Sequence, residues 1–146
     1  MFVLSCDPGL RSGFAEIMFG SHVFWQGDDV PGGVEGAIEY LAELGNPRFD
    51  MIVIEQFKKR EGTHGIRDDA SRVIGAVTQW AHTRNIPVIM QSPDGRLKRV
   101  PDRILLKLYG DVLKGNANRN IKEAVRHATA YAKAEHVPVV LNAFRD

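Results

Sequence analysis

Cysteine is almost absent from this sequence, since Cys6 is the single cysteine among 146 residues. A lone thiol can form neither an internal disulfide nor a zinc site built from cysteines, so we expect Cys6, which lies in an apolar run, to be a reduced core residue. Long hydrophobic runs are also lacking: no window approaches the roughly 20 apolar residues of a membrane-spanning helix. The start, MFVLSCDPG, lacks the basic segment and long apolar run of a signal peptide. We therefore expect a cytoplasmic protein with no membrane partner.

The composition excludes several further classes of protein. With 44% hydrophobic and 25% charged residues, the chain is too apolar to be disordered, and it has no collagen-like repeat. We find no internal repeat, low-complexity tract or linker. A length of 146 residues is typical of one domain, so we predict a single globular domain over residues 1–146.

The net charge of +1 hides an uneven distribution of charge along the chain. Residues 1–57 carry two basic and nine acidic side chains, a formal charge of −7, whereas residues 58–133 carry sixteen basic and seven acidic ones, a formal charge of +9. One interpretation is that solvated helix faces merely differ in sign. The other is that the second half presents a basic face that binds the phosphates of a polyanion. Charge alone does not choose between them.

Hydrophobic periodicity predicts an α/β fold in which a mixed sheet has helices on both faces. The predicted strands are residues 2–6, 13–19, 22–25, 51–54 and 87–90. A turn at Gly20-Ser21 makes the second and third strands a hairpin, so the first three strands should be antiparallel. The predicted helices are residues 34–44, residues 68–84, a short helix opened by Pro101, and residues 118–136. Residues 137–146 are ambiguous and receive no element, while residues 58–65 are expected to form an exposed basic loop.

Two carboxylates each terminate an apolar strand. Asp7 follows the first strand and Glu55 follows the fourth. Adjacent parallel strands are about 4.8 Å apart, so these side chains meet if the two strands are neighbours. Two anions so close repel each other unless they share a proton or a cation, and a divalent cation with oxygen ligands is the usual solution. Taken singly, each also suits a structural role, as a turn aspartate or a surface glutamate.

The last predicted helix contributes Glu123 and His127, which are four residues apart and therefore lie on one face. Ala124 and Ala128 beside them are small, so this face can approach the sheet closely. Such a pair is often only an exposed helix pair. If the helix crosses the carboxyl ends of the strands, however, three carboxylates and an imidazole converge where open α/β sheets usually bind ligands.

Three blocks of the sequence resemble the signature blocks of RuvC-like Holliday junction resolvases, phage-encoded members above all. They are LSCDPG at residues 4–9 with Gly13, IVIEQF at residues 52–57, and NRNIKEAVRHA at residues 118–128. The first block alone is weak, because actin-like ATPases and sugar kinases have similar turns. The three in order are fairly specific, and they span most of the chain.

The resemblance implies an RNase H-like fold with a mixed five-stranded sheet, a homodimer, and cleavage of four-way DNA junctions by paired nicks. It implies two Mg²⁺ or Mn²⁺ ions per site, held by Asp7, Glu55, Glu123 and His127. Glu123 stands where the family more often has aspartate. Phe57 is the candidate for the aromatic wedge that family members place near the junction centre. A phage-encoded member would act in the cytoplasm of a bacterial host.

Hydrolysis of a phosphodiester requires a more acidic attacking water and stabilisation of the charge on the phosphate and on the leaving oxygen, and two metal ions can supply all of these. In that scheme Asp7 would bridge both ions, Glu55 would hold one, and His127 would complete the other with Glu123, directly or through water. A neutral His127 could instead accept the proton of the water, and the sequence leaves both roles open. Either role predicts weak activity at acid pH.

Basic side chains near these blocks are predicted to hold DNA phosphates, a type of contact that positions DNA without reading its sequence. They are Lys58, Lys59, Arg60, Lys98, Arg99, Arg119, Lys122 and Arg126. Each one could equally be a solubilising surface residue. The second helix carries Val73, Val77 and Trp80, which suit either the core or a dimer surface.

Three alternatives to a junction-resolving endonuclease follow from the same residues. A nuclease acting on flaps, forks or RNA would use the same site. A branched-DNA binder that kept the fold without efficient cleavage is conceivable because of the unusual Glu123. An actin-like ATPase would need a second phosphate loop and a second domain, and 146 residues offer neither, so we expect no nucleotide cofactor.

Overall fold

A computed structural model describes residues 1–56, 68–93 and 99–145 of the chain. The described strands are β1 (Phe2–Asp7), β2 (Ser12–Phe19), β3 (Val23–Val30), β4 (Met51–Glu55) and β5 (Val88–Gln91). The described helices are α1 (Gly33–Glu43), α2 (Asp69–His82), α3 (Asp102–Tyr109), α4 (Arg119–Ala134) and α5 (Pro138–Arg145), with a short 3-10 turn at Asp111–Leu113. Among these residues no helix is both long and apolar enough to cross a membrane.

The strands form one mixed sheet in the order β3-β2-β1-β4-β5. The hairpin of β2 and β3 and the pairing of β1 with β2 are antiparallel, whereas β1 with β4 and β4 with β5 are parallel. The prediction of a mixed five-stranded sheet with an antiparallel start is therefore confirmed. The central strand β1 lies directly beside β4, as the argument about Asp7 and Glu55 requires.

Successive side chains of β1 and β4 alternate between two helical layers. Val3 and Val53 lie in a cluster with buried residues of α3, α4 and α5. Leu4 and Ile52, one position away, lie in a second cluster with buried residues of α1 and α2. Because helices cover both faces, β1 and β4 appear in the sequence as continuous apolar runs rather than as alternating ones.

The open question about the second helix is resolved in favour of the core. Val73 and Val77 are fully buried between α2 and the sheet, and Trp80 packs against the same cluster. Cys6 belongs to this layer as well and is a free, buried thiol, as expected.

The two largest differences from the sequence prediction are a helix in the tail and a longer third strand. The tail left without an element contains α5, which buries Val140 and Ala143 against the α3 and α4 layer. Its β-branched residues and Pro138 weaken the local helix signal, and tertiary packing overrides that weak propensity. Strand β3 also continues to Val30, because its polar outer residues still pair with β2 across the full hairpin.

Candidate active site

Asp7 and Glu55 stand level with each other at the carboxyl ends of β1 and β4. The parallel register pairs Cys6 with Ile54, and Asp7 and Glu55 are the next residues along each strand. Neighbouring strands at this spacing place the two α-carbons about 4.8 Å apart, with both side chains on the same face of the sheet. The sheet thus brings together two carboxylates that are 48 positions apart in the sequence.

Helix α4 covers the face toward which both carboxylates point. Ser5, two residues before Asp7 and therefore on the same face, donates its hydroxyl to the carbonyl oxygen of Ala124 on α4 at 2.6 Å. The side chain of Ser5 is fully buried. This hydrogen bond fixes the middle of α4 against the central strand, directly beside the strand ends.

A glycine allows the first turn of α4 to reach the sheet. Gly13 on β2 is paired with Asp7, and a Cβ atom at this position would lie 2.0 Å from the carbonyl oxygen of Asn120. No side chain fits there, so the backbone of α4 rests directly on β2. Neither Ser5 nor Gly13 was assigned a role from the sequence. The available signal was a serine inside an otherwise apolar strand, and a glycine at the start of the next one.

His127 on α4 contacts Glu55 directly. The ring is 1% exposed, and its Nε2 atom is 3.0 Å from Oε2 of Glu55. A carboxylate only accepts hydrogen bonds, so the Nε2–H tautomer of the ring donates to Glu55. The helix therefore does cross the carboxyl ends of the strands, and it delivers an imidazole to the Glu55 carboxylate.

The thiol of Cys6 is buried within the electrostatic reach of both carboxylates. Burial raises the pKa of the Cys6 thiol well above its usual range, and the charges of Asp7 and Glu55 raise it further. Both carboxylates thus act on the same buried atom. The thiol stays protonated near neutral pH, which excludes it as a nucleophile.

Glu123 lies one helical turn before His127 and is held by a neighbouring arginine. Nε of Arg126 donates to Oε1 of Glu123 at 3.3 Å. The same guanidinium donates to Oδ1 of Asp102 at 2.6 Å and to the carbonyl oxygen of Val100. Arg126 is only 2% exposed, so its guanidinium lies inside the protein rather than on a surface that DNA could reach.

The other residues predicted to bind DNA divide into three groups. Arg99 and Arg119 are exposed, as a phosphate contact requires. Lys122 is mostly covered, with its Nζ atom 2.9 Å from Oδ2 of Asp102. The remaining predicted positions, Phe57, Lys58, Lys59, Arg60 and Lys98, lie outside the described residues.

The donor atoms of this site have the chemistry that a divalent cation prefers. Carboxylate oxygens suit Mg²⁺ and Mn²⁺, and an imidazole is acceptable to Mn²⁺. Within the described ranges, however, no three His, Cys, Asp or Glu side chains are arranged to hold one ion. The hydrogen bond between Glu55 and His127 joins two of the predicted ligands to each other. A cation that binds them through Nε2 and Oε2 has to replace this hydrogen bond, whereas one bound through the other nitrogen and oxygen does not.

Comparisons with known proteins bear on the fold. No family model and no curated protein sequence matches the chain. Among solved structures, RuvC from Thermus thermophilus in complex with a Holliday junction substrate is similar with a TM-score of 0.74 at 16% identity, over 95% of this chain and 98% of that one. The fowlpox virus Holliday junction resolvase is similar with a TM-score of 0.65 at 14% identity, over 92% of this chain and 99% of that one. The predicted RuvC-like, RNase H-like fold is therefore confirmed.

Proposed function

We propose that this protein is a structure-specific endonuclease that resolves Holliday junctions by paired, metal-dependent nicks. The observation that carries the proposal is the level placement of Asp7 and Glu55 on adjacent strands, with His127 in contact with Glu55. The fold similarity to two resolvases, over nearly the whole chain in each case, supports the same conclusion. Cleavage of both strands by symmetric nicks requires two sites, so we propose a homodimer that acts on branched DNA in the cytoplasm.

The proposed reaction gives a separate role to each residue of the candidate site. Asp7 and Glu55 are the ligands we propose for Mg²⁺ or Mn²⁺, with His127 and Glu123 completing the set. The bound ions would lower the pKa of the attacking water and stabilise charge on the phosphate and on the leaving oxygen. When His127 is not a ligand, its neutral ring can accept the proton of the water. The weak activity at acid pH that the sequence predicts for either role stays a prediction.

We propose that basic residues in the second half of the chain bind the DNA substrate. Arg99 and Arg119 remain proposed phosphate contacts, because they are the exposed ones among the predicted DNA contacts that the structure describes. Residues 1–57 carry a formal charge of −7, so the cationic side chains that can neutralise DNA phosphates come mainly from the second half of the chain. We retain Phe57, Lys58, Lys59, Arg60 and Lys98 as proposed DNA contacts from the sequence alone.

A cleavage assay tests this function. A labelled four-way junction, a flap, a fork and a plain duplex are incubated with the protein in Mg²⁺, Mn²⁺ or EDTA. We expect symmetric nicks in the junction that are lost in EDTA and with Asp7→Asn. A matched control is Asp50→Asn, because Asp50 accepts a hydrogen bond from the backbone of Phe2 at the opposite end of β1, at 2.7 Å, and an asparagine oxygen can still accept it.

Two other outcomes would redirect the assignment. Cleavage of flaps or forks at rates equal to the junction would favour a nuclease of broader range. Tight junction binding with no cleavage in either metal would favour a non-catalytic branched-DNA binder.

A further inference from the structure

Arg126 is the largest fully buried side chain among the described residues, and it connects α4 with the segment at the start of α3. Its guanidinium bonds to the carbonyl oxygen of Val100, to the carboxylate of Asp102 and to the carboxylate of Glu123. A buried charge is costly unless it is paired and hydrogen bonded, and here two carboxylates and a carbonyl oxygen provide that compensation. A surface arginine that binds a DNA phosphate would instead have a solvent-exposed guanidinium.

One end of this network is Glu123, which is one helical turn away from His127. Glu123 and His127 are four residues apart on α4, so Glu123 lies on the helix face that carries the imidazole. The hydrogen bond from Nε of Arg126 to Oε1 of Glu123, at 3.3 Å, restricts the position of the Glu123 carboxylate. Glutamate has one more rotatable bond than aspartate, so an unrestrained carboxylate at this position would sample more orientations.

The other end of the network holds the start of α3. Asp102 accepts hydrogen bonds from both Arg126 and Lys122, at 2.6 and 2.9 Å, and Val100 lies just before that helix. Exposed Arg99 immediately precedes Val100. The guanidinium thus fixes α4 relative to the segment that carries a proposed DNA contact.

We propose that Arg126 is a positioning residue for the proposed nuclease reaction, orienting the Glu123 carboxylate toward the site formed by Asp7, Glu55 and His127. The proposal rests on the function proposed above. Arg126 does not touch DNA or the reacting atoms, and it acts through Glu123. A guanidinium is required because its rigid fork bonds three acceptors at once, whereas a lysine ammonium is a flexible point charge.

The test compares Arg126→Lys with a matched substitution elsewhere. Arg84→Lys is the control, because Arg84 is partly buried on the opposite layer, where it bonds to the carbonyl oxygen of Trp80 at 3.2 Å and lies over the Trp80 ring. Each variant is measured for thermal unfolding, for junction affinity in EDTA, for the single-turnover cleavage rate per folded molecule, and for the Mn²⁺ concentration that gives half of the maximal rate.

We expect the junction affinity of Arg126→Lys to stay within about 2-fold of the wild type. We expect its cleavage rate to fall roughly 10- to 100-fold and its Mn²⁺ requirement to rise, because changing a residue that orients a metal ligand usually has these effects. Arg84→Lys should change neither the rate nor the Mn²⁺ requirement. A merely structural Arg126 would alter the unfolding temperature while leaving both quantities unchanged per folded molecule, and that result would overturn the proposal. Loss of junction affinity with an unchanged rate at saturating DNA, or an equal loss with Arg84→Lys, would overturn it too.

A second variant decides the question if Arg126→Lys fails to fold. Asp102→Ala keeps both Arg126 and Glu123 but removes the carboxylate that holds the Arg126 guanidinium at 2.6 Å, and Asp102 is exposed enough for the protein to fold without it. We expect it to lose rate in the same direction as Arg126→Lys, and a wild-type rate would overturn the proposal. If the wild-type protein cleaves none of the DNA substrates in either metal, the proposed function fails and this inference fails with it. Normal wild-type cleavage with unaffected variants rejects the inference alone.

Discussion

The contact between α4 and Gly13 allows a sharp prediction about the site. In Gly13→Ala the new Cβ atom would lie 2.0 Å from the carbonyl oxygen and 2.2 Å from the carbonyl carbon of Asn120. Ordinary contacts of a Cβ atom begin at 3.4 Å, so the first turn of α4 has to move away from β2 by about 1.4 Å, the difference between 3.4 and 2.0. The obstacle is backbone on both sides, which cannot rotate out of the way.

This displacement affects both stability and activity. Overpacking of this kind typically costs about 1–3 kcal/mol. For a chain of this size each kcal/mol lowers the unfolding temperature by about 2–4 °C, so we expect a decrease of roughly 2–12 °C. Because α4 carries Glu123 and His127, the shift also misplaces them relative to Asp7 and Glu55. A displacement of about 1 Å in a catalytic site can reduce the rate by about 100-fold.

The measurement is thermal unfolding together with junction cleavage normalised to the folded fraction. Gly75→Ala is the matched control, because Gly75 lies in α2 with no atom within 4 Å of its missing Cβ. Alanine there should stabilise the helix by up to about 1 kcal/mol and leave cleavage unchanged. A Gly13→Ala protein with the wild-type unfolding temperature and cleavage rate would refute the account of how α4 reaches the sheet.

Three further predictions concern single contacts. Ser5→Ala removes the buried hydrogen bond to Ala124 and should lower the free energy of unfolding by about 1 kcal/mol in chemical denaturation, whereas an unchanged value would contradict an anchoring role. Hydrogen bonds from Arg126 and Lys122 lower the pKa of Asp102, so its ionised form contributes stability above the ordinary value of 3.8 that is lost as pH falls through the lowered pKa. Asp102→Asn should therefore lose less stability than the wild type on acidification, by a small amount because Asp102 is 53% exposed, and an identical acid transition would contradict this. Free Mn²⁺ at about 100 times its Kd should stabilise the wild type by about 2.7 kcal/mol in thermal unfolding but not Asp7→Asn, and equal shifts in both would reject Asp7 as a ligand.

The positions of the two strand-end carboxylates could be predicted because the end of an apolar run in the sequence marks the end of a buried strand. Apolar runs that are covered on both faces have no polar alternation, so the first charged residue marks where the strand leaves the core. Asp7 and Glu55 stand out for this reason, and both are the last residues of their strands. The helical spacing of α4 likewise placed Glu123 and His127 on one face.

The exposure of basic residues could not be predicted in the same way. Arg126 and Lys122 lie within the same block as exposed Arg119, yet the first is buried and the second is mostly covered. Both are covered because Asp102, about 20 positions earlier, meets them from α3. A charged residue is buried only when a partner from another element compensates it, and no local pattern reveals that partner.

Residue types and their spacing were sufficient to place two carboxylates at strand ends and a histidine four residues after a glutamate, because strand and helix periodicity depend on local geometry. Three contacts depended on how the layers pack: the pairing of β1 with β4, the hydrogen bond between His127 and Glu55, and the ion pair between Arg126 and Glu123. Those contacts join residues up to 72 positions apart. Their formation depends on the packing of the whole core, so only the tertiary structure could determine them.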